Sequence, residues 1–180
     1  MVQFPDVTRV TIGKTEHGNE DERFMALALR EARKAARIGE VPIGAVIVRD
    51  GEVVSRGYNR TESGKDPTLH AEMIAIRRAA KKLGAWRLSG CTMYATVEPC
   101  SMCAGAAVLA RLDAVIAGAV SERSGACGSV MDVLAADSGG AMDVLAADSG
   151  GYRVEYRAGV LEAECSALLS GFFKGLRKKG

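Results

Sequence analysis

The chain lacks several features that membrane, secreted or nucleic-acid-coating proteins need. No apolar run approaches the roughly 18 residues of a membrane span, and the N-terminus has no apolar segment of a secretory signal. The formal net charge of only +2 excludes a strong general basic field. The five cysteines are an odd number, which argues against a complete disulfide framework and for a reducing compartment. We expect one domain of ordinary size in the cytoplasm.

Histidines and paired cysteines are also scarce, and this narrows the choice of metal ligands. The sequence has one Cys-x-x-Cys pair, Cys100 and Cys103, and no second pair to complete a zinc ribbon. Of the two histidines, His17 lies in a polar N-terminal segment, which leaves His70 as the credible imidazole ligand. The other cysteines are predicted to be small buried residues: Cys91, Cys127 and Cys165.

His70, Cys100 and Cys103 supply three ligands, one fewer than a structural zinc site requires. Structural zinc is held by four protein ligands, whereas catalytic zinc leaves one position for water. We therefore predict one catalytic Zn²⁺ per chain, with a bound water that the metal makes acidic. Glu72 stands two residues after His70 and is predicted to carry protons as general acid and base. A thiol redox pair or a structural site is the alternative interpretation of the cysteines.

The spacing of apolar residues predicts a mobile extension over residues 1–20, followed by alternating helices and strands. Helices are predicted over residues 21–38, 70–83, 100–111 and 161–177, and strands over 41–48, 52–58, 91–97, 114–119 and 152–156. Asp50-Gly51 is a hairpin turn signal, and Pro99 is predicted in the first turn of its helix. This order indicates an α/β protein over residues 21–180, a three-layer α/β/α sandwich with a mixed five-stranded sheet. Both ligand groups then lie at helix N-termini, whose positive dipole stabilises thiolates.

A tandem duplication interrupts this order. The segment 130–140 returns as 141–151 with ten of eleven residues identical, so residues 131–151 lie within two copies of one short sequence. Two copies are too few for a solenoid. Each copy is predicted to be a brief helix ended by Asp-Ser-Gly-Gly. Because loop-closure cost grows only slowly with length, one copy is expected as an exposed excursion.

Beyond this pattern, the chain resembles known zinc enzymes. His70-Ala71-Glu72 with Pro99-Cys100-Ser101-Met102-Cys103 matches the H-x-E and P-C-x-x-C signature of zinc-dependent nucleobase deaminases. Further stretches resemble the TadA-type tRNA adenosine deaminases, in the cytidine deaminase-like superfamily, and the resemblance covers most of the chain. These stretches are Gly39–Val48, Gly57–Arg60, Asp66–Glu72, Glu98–Gly105, Gly125–Ser129 and Glu164–Phe173.

The resemblance implies hydrolysis of adenosine to inosine at the wobble position of a tRNA anticodon stem-loop, by a homodimer. It places Asn59 on the flipped nucleotide, the Ala71 backbone on the base and Ile43 against the base face. Ser121 stands where the family pattern has an Asp near the ribose. Purely structural interpretations are also open: Asn59 as a turn residue, Ile43 as a core residue and Ser121 as a surface loop residue.

Other functions remain open at the level of sequence. The first alternative is a deaminase of the same fold whose substrate is adenine or cytosine in single-stranded DNA, or a free base or nucleoside. Serine at position 121 carries no charge and so is expected to weaken discrimination against deoxyribose. A scaffold that binds RNA without turnover is a third class, but Glu72 argues against it because a binding protein needs no proton carrier.

Overall fold

A five-stranded sheet forms the centre of the described part of the chain, residues 18–134 and 153–177 of this computed structural model. The described helices are α1 (Gly18–Arg37), α2 (Thr61–Gly64), α3 (Ala71–Leu83), α4 (Ser101–Leu109) and α5 (Glu162–Arg177). The described strands are β1 (Gly44–Arg49), β2 (Glu52–Tyr58), β3 (Cys91–Val97), β4 (Ala114–Ala119) and β5 (Glu155–Arg157). None of these helices is both long and apolar enough to cross a membrane.

The strand directions bring the ends of four strands to one edge of the sheet. The strand order is β2-β1-β3-β4-β5, with β1 antiparallel to both of its neighbours and β3, β4 and β5 parallel. The carboxyl ends of β2, β3 and β4 therefore lie beside the start of β1. Residues just outside these strand ends meet at this edge, where a crevice is expected in an α/β fold.

Helices cover both faces of the sheet and divide the core in two. Helices α3 and α4 pack on one face, around buried residues such as Ile47, Met93 and Val115. Helix α1 and Cys165 of α5 pack on the other face with Phe24, Val46 and Ile116. Successive side chains of a strand point to opposite faces, so neighbouring residues of β1 enter different halves of the core. The predicted three-layer sandwich with a mixed five-stranded sheet is confirmed.

The best predicted elements are those with strong turn signals at their ends. Strands β2, β3 and β4 have the predicted bounds. Asp50 and Gly51 both have positive φ, at 51° and 72°, which is the backbone of a tight hairpin turn and explains the Gly. Gly84 ends α3 in the left-handed conformation at φ 66°, as predicted for a helix cap.

Several predicted bounds are wrong. Strand β1 begins at Gly44 and not at residue 41, because the Ile43 N–H donates to the Val41 carbonyl in a local turn. Helix α4 covers Ser101–Leu109 and not 100–111, because the chain turns sharply at Arg111, with φ 56°. Pro99 accordingly precedes the helix cap and does not lie in the first turn.

The third wrong bound belongs to the last strand. It is Glu155–Arg157 and not 152–156, because its register is set by pairing with Ala114–Ile116 of β4. The Glu155 N–H donates to the Asp113 carbonyl and fixes the start of this pairing.

The N-terminal boundary and the duplication are corrected in part. Helix α1 begins at Gly18, so residues 18–20 belong to the domain and not to the predicted extension. Residues 130–134 of the first copy are not helical; Asp132 forms an isolated bridge with Cys127 instead. The extension over 1–17 and the rest of the duplication, 135–151, lie outside the described residues, as does residue 152.

Candidate active site

The first turns of α3 and α4 carry the predicted metal ligands. His70 is the N-cap of α3 and Cys100 the N-cap of α4, both with extended backbone and neither with a side-chain capping bond. Their side chains are therefore free to point away from the helix ends. Cys103 is one turn into α4 and fully buried. The cap residues of two helices and one helical residue thus converge at the sheet edge.

The three ligand atoms lie at the spacing of a tetrahedral zinc site. The Nδ1 atom of His70 lies 3.7 Å from the Cys100 Sγ and 3.6 Å from the Cys103 Sγ, and all three atoms are within 4.8 Å of one another. Zinc–sulfur and zinc–nitrogen bonds of about 2.3 and 2.0 Å place such atoms ~3.5 Å apart at a tetrahedral angle. Among the described residues these three form the one cluster of this kind. The donor set fits Zn²⁺ with one position left for water.

The electrostatics of the cysteine pair favour a cation. A hydrogen bond from Cys103, with further help from His70 and the Cys103 backbone N–H, lowers the pKa of Cys100 to about 4. The same bond to Cys100, together with burial, raises the pKa of Cys103. The pair therefore favours a thiolate at Cys100, and the thiolate is the form of cysteine that binds a divalent cation. The His70 pKa is raised chiefly by its hydrogen bond to Cys100.

Glu72 has the properties of a proton carrier. Its side chain is 3% exposed, and its Oε2 atom has no hydrogen-bond partner among the described residues. Burial raises the pKa of Glu72 to about 6. A carboxyl group with a pKa near neutrality can both accept and donate a proton, which is the requirement for general acid-base catalysis. An unpaired buried oxygen beside a metal cluster also indicates that a molecule outside the protein supplies the partner.

Asn59, Ala71 and Ile43 lie together at the entrance from β1 and β2. The Asn59 N–H donates to the Ile43 carbonyl at 3.1 Å, and the Asn59 Oδ1 accepts the Ala71 N–H at 2.9 Å. Asn59 is 6% exposed and Ala71 fully buried, while Ile43 is half-buried against the core. Asn59 thereby ties the start of α3 to the end of β2. Its amide NH₂ has no hydrogen-bond partner among the described residues.

Ser121 lies on the opposite side, in the segment after β4. Its N–H donates to the Glu98 Oε2 at 3.0 Å, and its hydroxyl lies 3.2 Å from the Ser124 hydroxyl. Its carbonyl accepts bonds from the Gly125 N–H and from the Ser129 hydroxyl. The Ser121 side chain is therefore at the surface of a folded-back loop while its backbone is anchored below.

Two buried carboxylates beside the site were not predicted as functional residues. Glu98 is 4% exposed and accepts three backbone N–H groups, and Glu40 is 2% exposed and accepts those of Glu62 and Ser63 at the start of α2. The hydrogen bonds from Ser63 lower the Glu40 pKa despite its burial. A Glu directly before Pro-Cys was the available signal for Glu98; no local signal marks Glu40 or the short α2.

The remaining cysteines are placed as predicted. Cys91, Cys127 and Cys165 are buried and outside the ligand cluster. Burial raises the pKa of Cys91, and burial also raises the pKa of Cys165 to about 12. A neutral thiol in the core is a packing residue. His17 lies outside the described residues.

Comparisons with known proteins agree with this geometry. Residues 18–119 match the family model of the cytidine and deoxycytidylate deaminase zinc-binding region, and this range includes all three ligands and Glu72. The chain is 44% identical over 160 residues to a tRNA-specific adenosine deaminase of Bacillus subtilis (strain 168), with 89% of this chain and 92% of the relative covered.

Two solved structures extend the comparison. One, from a study of A-to-I editing by tRNA:A34 deaminases at the wobble position, matches with a TM-score of 0.69 and 39% identity, over 82% of this chain and 99% of the other. A guanine deaminase from Bacillus subtilis matches with a TM-score of 0.53 and 44% identity, but over only 55% of this chain and 64% of the other. The tRNA deaminase therefore accounts for more of the chain.

Proposed function

The chain belongs to the tRNA-specific adenosine deaminases, and we propose that it hydrolyses adenosine to inosine at the wobble position of a tRNA anticodon. One observation carries the chemistry: three zinc ligands and an unpaired buried carboxylate meet at two helix N-termini. The similarity over nearly the full length to a tRNA-specific enzyme carries the substrate.

The residues divide the reaction between metal binding and proton transfer. His70, Cys100 and Cys103 would hold Zn²⁺, which would supply an activated water molecule at neutral pH. Glu72 would pass one proton of the attacking water to a ring nitrogen of the adenine and the other to the departing amine, which would leave as ammonia. Burial raises the pKa of this carboxyl group, which makes its protonated form accessible for transfer.

The substrate contacts belong to the proposal as well. A loop base leaves its stack at modest cost to enter the site. Asn59 binds the flipped nucleotide through its free NH₂ group, since its Oδ1 atom already accepts the Ala71 N–H. The half-buried Ile43 packs on the face of the base, and the Ala71 backbone lies at its edge. Ser121 lies near the ribose.

Assembly and location complete the proposal. A homodimer with one zinc per chain is supported by an apolar face on the side of α3 and α4, where Trp86 is 62% and Leu109 45% exposed. Sedimentation of the purified chain measures this assembly.

All five cysteines are free, which suits a reducing compartment such as the cytoplasm.

The polymer substrate has support at the C-terminus. Phe173, Lys174 and Arg177 are exposed on the last turns of α5. An aromatic face beside basic groups suits an RNA loop, in which unstacked bases find stacking partners and phosphates find cations.

A single assay separates the candidate substrates. The purified protein is incubated with an anticodon stem-loop carrying adenosine at the wobble position, with a matched DNA hairpin, and with free adenosine, cytidine and guanine. We expect inosine in the stem-loop, and at least about 100-fold slower formation of inosine with a Glu72→Ala variant. Conversion of a free base without conversion of the stem-loop would favour the guanine deaminase likeness, and no conversion by a zinc-loaded protein would contradict an enzymatic role.

A further inference from the structure

Glu98 lies outside the metal cluster, but its carboxylate holds the loop that follows β4, at the same edge of the sheet as the metal ligands. Its Oε2 accepts the Ser121 N–H at 3.0 Å, and its Oε1 accepts the N–H groups of Cys127 at 2.9 Å and Ser129 at 3.2 Å. All three donors belong to the segment 121–129, here called the Ser121 loop. No Lys or Arg among the described residues forms an ion pair with Glu98. Backbone N–H groups of this one loop are therefore the partners of the buried charge.

The Ser121 loop has little structure of its own. It contains turns and the isolated bridge of Cys127, but neither a helix nor a strand. Its closure depends on bonds that meet at the Ser121 carbonyl, from Gly125 and Ser129. Apart from the burial of Gly125, Ala126 and Cys127, three contacts tie the loop to the domain: Glu98, the Pro99 carbonyl, which accepts the Ala126 N–H at 2.9 Å, and the segment 131–133. In that segment the Val133 N–H donates to the Ala126 carbonyl at 2.9 Å.

The loop is also shaped around the carboxylate. A Cβ atom on Gly125 would collide with the Glu98 carboxylate and with the Ser129 hydroxyl. Because Gly125 does not have a positive φ, close approach and not backbone conformation is what requires a glycine there. Geometry from the loop side thus points to the same contact as the hydrogen bonds.

Glu98 and Pro99 directly precede the ligand Cys100. The turn that presents a metal ligand is therefore the same turn that holds the Ser121 loop. We propose that Glu98 is a positioning residue that fixes the Ser121 loop relative to the metal ligands, so that the loop meets the substrate in one geometry. This inference rests on the proposed function, since it assigns the loop to substrate binding and leaves proton transfer to Glu72.

The Glu98→Gln variant separates the two ends of the contact. An amide keeps one acceptor oxygen, which is best used by the two N–H groups of Cys127 and Ser129. Its NH₂ group then faces the Ser121 N–H, and two donors cannot pair. The variant should therefore release Ser121 and keep the other end of the loop in place.

Three measurements test this. In Glu98→Gln, hydrogen exchange of the Ser121 amide should be accelerated at least about tenfold, while exchange at Cys127 and Ser129 changes little. Zinc content should remain at the wild-type value. With the stem-loop substrate, KM should rise by about tenfold, with kcat within about threefold of wild type, because the loss falls on binding and not on proton transfer.

Matched variants keep the test decisive. Glu40→Gln also neutralises a buried carboxylate that accepts backbone N–H groups, but on the other side of the site, and should leave Ser121 exchange unchanged. Gly125→Ala disturbs the contact from the loop side and should reproduce the effect on Ser121 exchange if Glu98→Gln fails to fold. Unchanged Ser121 exchange in a folded Glu98→Gln protein overturns the proposal, as does a loss of zinc in place of the KM effect. Exchange is measured without substrate, so a wild-type protein that does not act on tRNA refutes the proposed function separately.

Discussion

The metal side and the loop side of the site are held by different kinds of contact. On the metal side, His70, Cys100 and Cys103 lie on the first turns of two helices, whose backbone bonds are local and whose faces pack into the core. On the loop side, the Ser121 loop is held by a side chain, Glu98, from a different part of the chain. Glu98 spans 23 to 31 residues to reach its three partners.

This difference assigns different tasks to the two sides. Metal ligands and proton carriers must keep their positions within a few tenths of an ångström, and rigid helices provide this. A loop anchored at one carboxylate can vary in sequence without moving the metal. We therefore expect changes on the metal side to abolish turnover and changes on the loop side to alter substrate binding and choice.

The largest effect is expected from the metal ligands. His70→Ala, Cys100→Ser or Cys103→Ser should lower zinc content well below one per chain and remove detectable deamination. Three ligands leave no spare one, and loss of any breaks the site. Elemental analysis of the purified variants measures zinc directly.

A buried cysteine outside the cluster serves as the control. Cys91→Ser makes the same chemical change in the core and should keep its zinc. Full zinc retention in all three ligand variants would show that the ligand set is wrong and that the metal side is built elsewhere.

Glu72→Ala should give the next largest effect. Zinc content and affinity for the stem-loop should persist, while kcat falls by about 10²–10⁴, the usual contribution of general acid-base catalysis. The reason is that Glu72 has one carboxylate oxygen without a hydrogen-bond partner and does not belong to the ligand cluster. Single-turnover kinetics with zinc-loaded protein measure this fall, and near-normal turnover would remove Glu72 from the mechanism.

Sequence indicates the two halves of the metal side because each half is local. The His-x-Glu and Cys-x-x-Cys spacings place the side chains of each half within one helical turn, and the sheet brings the two halves together. The hairpin at Asp50-Gly51 is predictable for the same reason, since both residue types favour the positive φ angles that a tight hairpin turn requires.

The loop side is not predictable in this way. The partners of Glu98 and of Glu40 lie more than 20 residues away, and no periodicity links a carboxylate to distant N–H groups. The four residues of α2 are too few for a helical pattern. The predicted start of α1 is too late and that of β1 is too early. These errors have another cause, because the ends of helices and strands are set by tertiary contacts and not by composition.

Ser121→Asp tests the loop side with a smaller expected effect. A carboxylate at this surface position accepts a bond from a ribose 2′-OH and leaves an unpaired charge against deoxyribose. We expect the wild-type protein to deaminate adenine in single-stranded DNA measurably. In the variant, the RNA-to-DNA ratio of kcat/KM for matched hairpins should rise about fivefold, the size of one hydrogen bond.

Ser124→Asp provides the matched control for that ratio. Ser124 lies within hydrogen-bond distance of Ser121, so the same charge enters the same loop three residues later. A ratio that is unchanged in Ser121→Asp, or that rises equally in both variants, would show that position 121 does not read the sugar.

The smallest effect is expected from shortening the duplication at the end of the loop side. The first copy begins inside the fold: Val133 and Leu134 are 5% and 8% exposed, and the Val133 N–H donates to the Ala126 carbonyl. Deletion of residues 141–151 leaves this copy intact, and deletion of 130–140 puts the second copy in its place with only Val130 changed to Ala. Val130 is 51% exposed, so the two shortened chains should behave alike.

Both shortened chains should keep their zinc, and their free energies of unfolding should lie within about 1 kcal/mol of the wild-type value, because the cost of loop closure changes slowly with length. Urea denaturation with zinc analysis measures this. A fall of several kcal/mol in the free energy of unfolding of both shortened chains would show that both copies pack against the domain. The loop side would then be held by the duplicated segment as well as by Glu98.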